Sequence, residues 1–228
     1  MSLITLLSND EHPVVEPGLT TFLNPHSYLL ASDNEALFSQ FDKIYCDGIF
    51  LVYFMRAIGR KISRISFDMT SMAPVVFDQA VREGLSVCLV GGEEGIAQEA
   101  AEKFRREYPG LNITHIFSGF FVSNQHRDEV IDKIATDSPD IVIVGMGAIL
   151  QEQFLVDLCS RNWRGFGYTC GGFFHQTANK GIKYYPDLIN RLHLRWLYRI
   201  FDEPYLFKRY LNSYPKFVCR FIKDLRGI

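Results

Sequence analysis

Short, continuously apolar segments alternate with segments of helical composition in the middle of this 228-residue chain, and this alternation limits the possible folds strongly. Residues 86–90 and 141–144 are apolar and rich in β-branched side chains, and each segment runs into glycine. Helices are predicted to follow them at Ile96–Glu107 and at residues 151–160. Strands that are apolar on both faces need helices on both sides of the sheet. The pattern therefore predicts an α/β fold with a mostly parallel sheet flanked by helices.

Turn signals delimit the other predicted elements. Tyr108-Pro109-Gly110 ends one predicted helix, and Ser138-Pro139-Asp140 ends the next. The predicted strands are residues 19–23, 43–46, 86–90, 112–117, 141–144 and 165–169. The predicted helices are residues 27–39, 96–107, 129–136 and 151–160, with aromatic-rich helices from residue 182 onward.

The spacing of cysteine and histidine disfavours a disulfide framework and a bound metal. The five cysteines are scattered without a C-x-x-C pair, and the six histidines show neither H-x-x-x-H nor H-E-x-x-H spacing. No segment reaches the roughly 18 consecutive apolar residues that a membrane span needs, and the N-terminus lacks the basic region of a secretion signal. We therefore expect a cytoplasmic protein with reduced thiols, no cofactor and no membrane-spanning helix.

Charge is distributed unevenly along the chain. Residues 1–179 contain 13 Lys+Arg and 22 Asp+Glu, a net charge of −9, whereas residues 180–228 contain 11 and 4, a net charge of +7. Arg191, Arg195 and Arg199 are four residues apart and are expected to share one helix face. A basic segment of this kind fits a phosphorylated ligand, a nucleic acid or an acidic lipid surface, and it also fits an ordinary solvated helix face.

Candidate site residues follow the predicted strands, because ligands of open parallel sheets bind beyond the carboxyl ends of the strands. Glycines there allow the backbone to approach a ligand, and N–H groups that begin the next helix favour phosphate oxygens. A tight turn explains any single glycine pair better, but four such positions favour a nucleotide-type ligand. The segment from Gly145 lacks the third glycine of the dinucleotide fingerprint, which disfavours a nicotinamide site. The candidates are Asn24, Asp47, Gly48, Gly91, Gly92, Gly145, Gly147, Gly171 and Gly172.

Asp47 is the candidate general base. It follows a short predicted strand and precedes Gly48, and a carboxylate in a cleft can accept a proton from an attacking hydroxyl. A turn or helix-cap aspartate has the same spacing, so the pattern alone leaves both roles open. Asp68 follows Arg64 in a similar setting and is either a second site acid or the salt-bridge partner of that arginine.

An ordered set of motifs then links these positions across most of the chain. The motifs are FLNPHSYLLA at 22–31, DGI at 47–49, RISFD at 64–68, LVGG at 89–92, YPGL at 108–111, GFF at 119–121, PDIVIVGMGAILQEQF at 139–154, GGFF at 171–174 and LRWLYRIFDEP…RY at 194–210. In order and spacing, this set resembles the WecG/TagA/CpsF family of bacterial glycosyltransferases.

The resemblance implies a Rossmann-like catalytic core at residues 1–180 and a basic helical appendage at residues 181–228. It implies an inverting, metal-independent transfer of a sugar, often of the N-acetylmannosamine type, from a UDP-sugar to a polyprenyl-diphosphate-linked saccharide in surface polysaccharide biosynthesis. The family's proposed base corresponds to Asp47. Gln151 and Glu152 correspond to positions that hold the uridine or the sugar, and Arg199 and Arg209 to positions near the donor diphosphate, where guanidinium groups would stabilise the leaving UDP.

Several positions depart from the family pattern. Leu206 stands where the family often has arginine, and Ile149 and Leu150 replace a common Pro-Lys pair. Residues 67–68 are Phe-Asp, where the family commonly has glycine with the acid one residue later. A threonine that some members carry two residues before the asparagine is displaced to Thr21. These changes preserve the implied reaction class and leave the sugar open.

The basic, aromatic appendage predicts peripheral attachment to the anionic inner face of the cell membrane, where the lipid-linked acceptor would reside. The expected partners are the UDP-sugar donor, the lipid-linked saccharide and this membrane surface, with self-association possible and nucleic acid not expected. The alternatives are a nucleotide-dependent oxidoreductase, an inactive relative that still binds a nucleotide sugar, and a nucleic-acid-binding tail.

Overall fold

The computed structural model of the chain describes residues 2–182, 184–186, 189, 194–202 and 205–226, with side chains at all of these except residues 202, 205 and 206. The strands are β1 (Gly18–Leu23), β2 (Lys43–Cys46), β3 (Ser86–Gly91), β4 (Asn112–Phe117), β5 (Ile141–Gly145) and β6 (Phe166–Thr169). The helices are α1 (Leu3–Leu6), α2 (Pro25–Ser32), α3 (Glu35–Phe38), α4 (Ile49–Ala57), α5 (Met72–Glu83), α6 (Ile96–Glu107), α7 (Asn124–Asp137), α8 (Leu150–Ser160), α9 (Phe173–Lys180), α10 (Arg195–Asp202) and α11 (Tyr205–Leu225).

The described strands form one six-stranded sheet in the order β2-β1-β6-β5-β3-β4, and every neighbouring pair is parallel. Consecutive side chains of a strand point to opposite faces. On β3, Val87 and Leu89 pack in one buried cluster, whereas Cys88 and Val90 pack in the other. Helices α5, α6 and α9 cover the first face, and α1–α4, α7, α8 and α11 cover the second. The parallel, doubly covered sheet expected from the apolar strands is confirmed.

Strand positions match the sequence prediction closely, but several helices differ. The predicted helix at 27–39 is two helices, α2 and α3, because Asn34 Nδ2 donates a hydrogen bond to the Leu30 carbonyl at 2.8 Å and so ends the first helix. Helix α7 begins at Asn124, five residues earlier than expected, where Ser123 Oγ accepts from the His126 N–H at 3.1 Å. Helices α1, α4, α5 and α9 were not predicted.

The C-terminal helix α11 shares the core of the α/β unit. Phe217 and Phe221 are 0% and 2% exposed and belong to the same buried cluster as the side chains of α2. Near the end of the helix, the Asp224 carboxylate accepts hydrogen bonds from the Tyr28 hydroxyl and from Arg220 Nε, both at 2.8 Å. The second half of α11 is therefore anchored, and the division of the chain at residue 180 stays a prediction.

Candidate active site

A cavity of about 970 Å³ lies at the carboxyl ends of the strands, and helices α10 and α11 contribute part of its lining. Because all described strands are parallel, the loops that follow them meet at this edge of the sheet. Twelve of the sixteen predicted site residues line the cavity: Asn24, Asp47, Gly48, Arg64, Asp68, Gly92, Gly147, Gln151, Gly171, Gly172, Arg199 and Arg209. The other four, Thr21, Gly91, Gly145 and Glu152, are not among the lining residues.

Asp47 is held at the end of β2 by the sheet itself. Its N–H donates to the Leu23 carbonyl at 2.8 Å, which continues the ladder between β1 and β2. The next residue must be small, since a Cβ on Gly48 would lie 2.8 Å from Pro25 Cδ. The Asp47 side chain is 37% exposed and opens into the cavity. These contacts place its carboxylate where a bound substrate can reach it.

The pKa of the Asp47 carboxyl group is raised above its usual range. Desolvation is the main cause: although the side chain is open to the cavity, the surrounding protein excludes much of the water that would stabilise the charged form, and the negative charge of Asp68 acts in the same direction. The guanidinium groups of Arg64, Arg195 and Arg199 oppose this rise, and Arg64 Nη1 lies 3.3 Å from Asp47 Oδ1. A carboxylate with a raised pKa is a better proton acceptor than an ordinary surface aspartate.

Asp68 has the opposite electrostatic setting. Although burial alone would raise its pKa, the charges of Arg195 and Arg64 hold the pKa of Asp68 below its usual range. Its Oδ2 accepts a hydrogen bond from Ser66 Oγ at 2.7 Å and lies 2.8 Å from Arg195 Nη1. Two neighbouring acids whose pKa values move apart commonly serve different roles. Asp68 is therefore suited to hold cations in place, and Asp47 to exchange a proton.

Arg195 lies at the site, although the sequence indicated only that it shares a helix face with Arg191 and Arg199. Its guanidinium group lies 4.6 Å from the centre of the Tyr185 ring and also bonds Thr70 Oγ1. These contacts hold α10 beside the cavity, so Arg199, one turn later on the same helix, also lines it. The signal was present in the four-residue spacing, but the partner of Arg195 could not be read from it. Arg191 lies outside the described residues, as does the side chain of Leu206.

Gln151 lines the cavity, whereas the neighbouring Glu152 is buried outside its lining. Glu152 is 1% exposed, and its Oε1 accepts hydrogen bonds from Thr21 Oγ1 at 2.8 Å and from Gln151 Nε2 at 3.0 Å. Gln151 lines the cavity, and its Oε1 accepts from the Gly171 N–H at 3.1 Å. Burial raises the pKa of Glu152, and the hydrogen bonds that its neighbours donate partly offset this rise. In this arrangement Glu152 and Thr21 support the cavity floor, and Gln151 faces the space above it.

Four of the predicted glycines are needed for one of two reasons: a side chain would clash with a neighbouring carbonyl, or the backbone has a positive φ. A Cβ on Gly91 would lie 2.3 Å from the Gly145 carbonyl oxygen, and one on Gly145 would lie 2.7 Å from the Gly171 carbonyl oxygen. These two glycines allow the ends of β3 and β5 and the loop after β6 to come together below the cavity. Gly147 and Gly171 have φ of +82° and +55°, with nothing within 4 Å of an added Cβ, so their role is conformational.

Aromatic residues of the C-terminal segment, none of them among the predicted site residues, complete the lining. They are Tyr185, Trp196, Tyr210 and Tyr214. Trp196 and Tyr210 belong to the motif at 194–210, and the other sequence signal was the aromatic-rich composition after residue 182. None of the helices that the structure describes has both the length and the apolar composition needed to cross a bilayer.

Comparison with known proteins gives a consistent result. A family model described as "Glycosyl transferase WecG/TagA/CpsF family" matches residues 5–227. A relative in Shigella boydii, UDP-Gal:alpha-D-GlcNAc-diphosphoundecaprenol beta-1,4-galactosyltransferase, is 38% identical over 208 residues, which are 91% of this chain and 86% of the relative. A second, N-acetylglucosaminyldiphosphoundecaprenol N-acetyl-beta-D-mannosaminyltransferase of Bacillus spizizenii, is 32% identical over 195 residues, which are 85% of this chain and 73% of the relative.

Proposed function

The chain belongs to the WecG/TagA/CpsF family of glycosyl transferases, and from this premise we propose that it moves a hexose from a UDP-sugar to a polyprenyl-diphosphate-linked saccharide with inversion at the anomeric carbon. The observation that carries the proposal is the position of Asp47 in one cavity with Arg199 and Arg209. A proton acceptor and a set of cations are the two things that displacement of a nucleoside diphosphate by an alcohol requires.

In the proposed reaction, a hydroxyl of the acceptor sugar attacks the anomeric carbon of the donor. Asp47 takes the hydroxyl proton while the new C–O bond forms and the bond from the anomeric carbon to the phosphate oxygen breaks. The electron pair of the broken bond stays on UDP, whose added negative charge is stabilised by Arg199 and Arg209. A single displacement of this kind inverts the configuration of the transferred sugar.

Two further residues have supporting roles in the proposal. Asp68 holds Arg195 and Arg64 in place, so that the charge of the cavity wall is set before the donor enters. Gln151 faces the donor, with both ends of its amide oriented by Glu152 and Gly171. A predefined arrangement of this kind avoids reorganisation during the reaction.

The names of the two relatives guide the choice of substrates. One acts with UDP-Gal on alpha-D-GlcNAc-diphosphoundecaprenol, and the other is a mannosaminyltransferase that uses N-acetylglucosaminyldiphosphoundecaprenol. We therefore propose a lipid-linked N-acetylglucosamine diphosphate as the acceptor, and galactose or N-acetylmannosamine as the transferred sugar.

A matrix of donors and acceptors tests the function. UDP-galactose, UDP-N-acetylmannosamine, UDP-glucose and UDP-N-acetylglucosamine are each incubated with a short-chain polyprenyl-diphospho-N-acetylglucosamine, and the product is analysed by mass spectrometry and NMR. We expect a single β-linked product from one donor. The absence of product with all four donors, or a product with retained configuration, would contradict the proposal. The Asp47→Asn variant serves as the control for contaminating activity.

Peripheral binding to the inner face of the cell membrane is a second part of the proposal. Helices α10 and α11 expose large apolar side chains beside basic ones: Trp196 is 44% exposed, Phe201 79%, Phe207 49% and Leu211 59%. Apolar residues of this kind can enter the headgroup region, while nearby Lys and Arg residues are attracted to anionic lipids. Such attachment would bring the cavity to its lipid-linked acceptor.

A further inference from the structure

His26 occupies a constrained position at the start of α2. The side chain of Asn24 accepts hydrogen bonds from the N–H groups of His26 and Ser27 at 3.0 and 3.2 Å, and Pro25 fixes the first turn. His26 is half-buried and lines the cavity. The helix cap therefore holds the imidazole at the cavity wall.

One nitrogen of the ring is engaged by α11. His26 Nδ1 lies 2.9 Å from Ser213 Oγ, and Ser213 is buried. Ser213 follows Arg209 by four residues, so both project from the same face of α11, against which His26 lies. Within the described part of the chain, no hydrogen bond engages the other ring nitrogen, Nε2. The ring thus has one nitrogen oriented by the protein and one available to a ligand.

The surroundings of His26 are cationic. Arg209 lines the same cavity, and its buried Nε has no hydrogen-bond partner among the residues that the structure describes. Burial, followed by the charge of Arg209, lowers the pKa of His26, so the ring is mainly neutral at neutral pH before a ligand binds. Arg209 is a partly buried cation, and Nε2 of His26 can donate a hydrogen bond beside it. An anion that contacts both groups would therefore be stabilised by both.

We infer that His26 Nε2 donates a hydrogen bond to the diphosphate of the donor, next to Arg209. This inference rests on the proposed function, and it adds a binding residue from α2 to the arginines of the C-terminal helices. Ser213 sets the ring orientation: its hydroxyl donates to Nδ1 when the ring is neutral and accepts from Nδ1–H when the ring is protonated. The contact to the diphosphate is available in both protonation states.

Two substitutions of His26 distinguish the roles of its two ring nitrogens. In His26→Asn, the side-chain amide reaches the position of Nδ1 but not that of Nε2, whereas in His26→Gln it reaches toward Nε2. We expect His26→Asn to weaken UDP binding by roughly 10- to 100-fold, the loss typical of a hydrogen bond to a charged group. His26→Gln should stay within about threefold of the wild type, and Ser213→Ala should weaken binding less than His26→Asn, because the ring loses its orienting partner but keeps Nε2. Titration calorimetry with UDP measures these affinities, and the affinity for uridine, followed by ligand-observed NMR, should be unchanged in all variants.

The outcomes distinguish the inference from the function on which it rests. If the wild type fails to bind UDP, the proposed function falls and takes the role of His26 with it. If the wild type binds UDP and folded His26→Asn binds it equally well, only the role of His26 is overturned. Equal losses in His26→Asn, His26→Gln and Ser213→Ala would also overturn it, because they would indicate that His26 only positions α11. Circular dichroism checks folding, and His26→Phe replaces His26→Asn if the latter unfolds.

Discussion

Arg195 and Asp68 form an ion pair across 127 positions of the sequence, with Arg195 Nη1 2.8 Å from Asp68 Oδ2. Their side chains are only 13% and 17% exposed, so solvent screens the pair less than it would on the open surface. The pair joins the C-terminal helix α10 to the segment that follows α4. It also gives the two acids at the cavity different electrostatic settings, since Asp68 is paired with cations while Asp47 opens into the cavity.

Replacing Asp47 with asparagine should reduce kcat by about 10²- to 10⁴-fold, the usual contribution of a general base. Affinity for UDP should change little. The folded-state pKa of Asp47 is raised, so its ionised form costs stability at neutral pH, and the uncharged amide should not lower the melting temperature. Kinetics, titration with UDP and differential scanning fluorimetry test the three statements. A variant with full activity would exclude Asp47 as the base.

The pH dependence of the reaction should report Asp47. A base acts when it is deprotonated, so kcat/KM should fall as the pH decreases through the raised pKa of this group, above the range of an ordinary aspartate. Arg64 is the strongest influence that lowers this pKa. Arg64→Gln should therefore move the acidic limb to higher pH, and Arg64→Lys should move it less. A limb that is unchanged in Arg64→Gln would contradict the assignment.

Removing the charge of Arg195 should destabilise the fold by about 1–3 kcal/mol at pH 7, because Asp68 keeps its charge but loses a main partner. The folded-state pKa of Asp68 is lowered. Its stabilising contribution is thus present above the unfolded-state pKa and is lost as the pH falls through the folded-state value. Denaturant unfolding of Arg195→Met and wild type should show a stability difference that narrows toward acidic pH. A constant difference would mean that packing, not charge, accounts for the loss.

The floor of the cavity should depend on one threonine hydroxyl. Thr21→Val removes the donor that Glu152 accepts at 2.8 Å and leaves a buried carboxylate with fewer partners, which should cost about 1–3 kcal/mol. The preceding residue offers a matched control: Thr20 is also buried, and its side chain makes no hydrogen bond within the described part of the chain. Thr20→Val should cost clearly less in the same urea unfolding experiment. Similar costs for both would argue against the hydrogen-bonded floor.

Membrane attachment should depend on the apolar residues of the C-terminal helices. The double change Phe201→Ser and Leu211→Ser is expected to reduce co-sedimentation with vesicles that contain anionic phospholipid, since both side chains are largely exposed. Val122→Ser, at an 89% exposed position on the loop after β4, is the control and should have no effect. Loss of binding in the control alone would place the membrane contact elsewhere.

Local pattern predicted the sheet well because each strand carries its own signal. The apolar, β-branched segments at residues 86–90 and 141–144 could be buried only in a doubly covered sheet, and both are strands in the structure. Helix α4 has the opposite character: its sequence IFLVYFMRA is apolar nearly throughout, so no period distinguishes a helix from a strand. Helix α9 begins directly after Gly171-Gly172, a pair that indicated a candidate site at the end of a strand but did not predict the helix.

The amino-acid sequence alone determined the α/β class, the strands, the family resemblance and the strand-end position of Asp47, because these depend on periodicity, turn chemistry and motif order along the chain. Only the tertiary structure decided that Glu152 lies beneath the cavity while Gln151 lines it, that Arg195 pairs with Asp68, and that His26 meets Ser213. These relations join residues up to 187 positions apart. Burial, pKa and hydrogen-bond partners depend on which distant side chains share a volume, and that is established only when the sheet and its covering helices assemble.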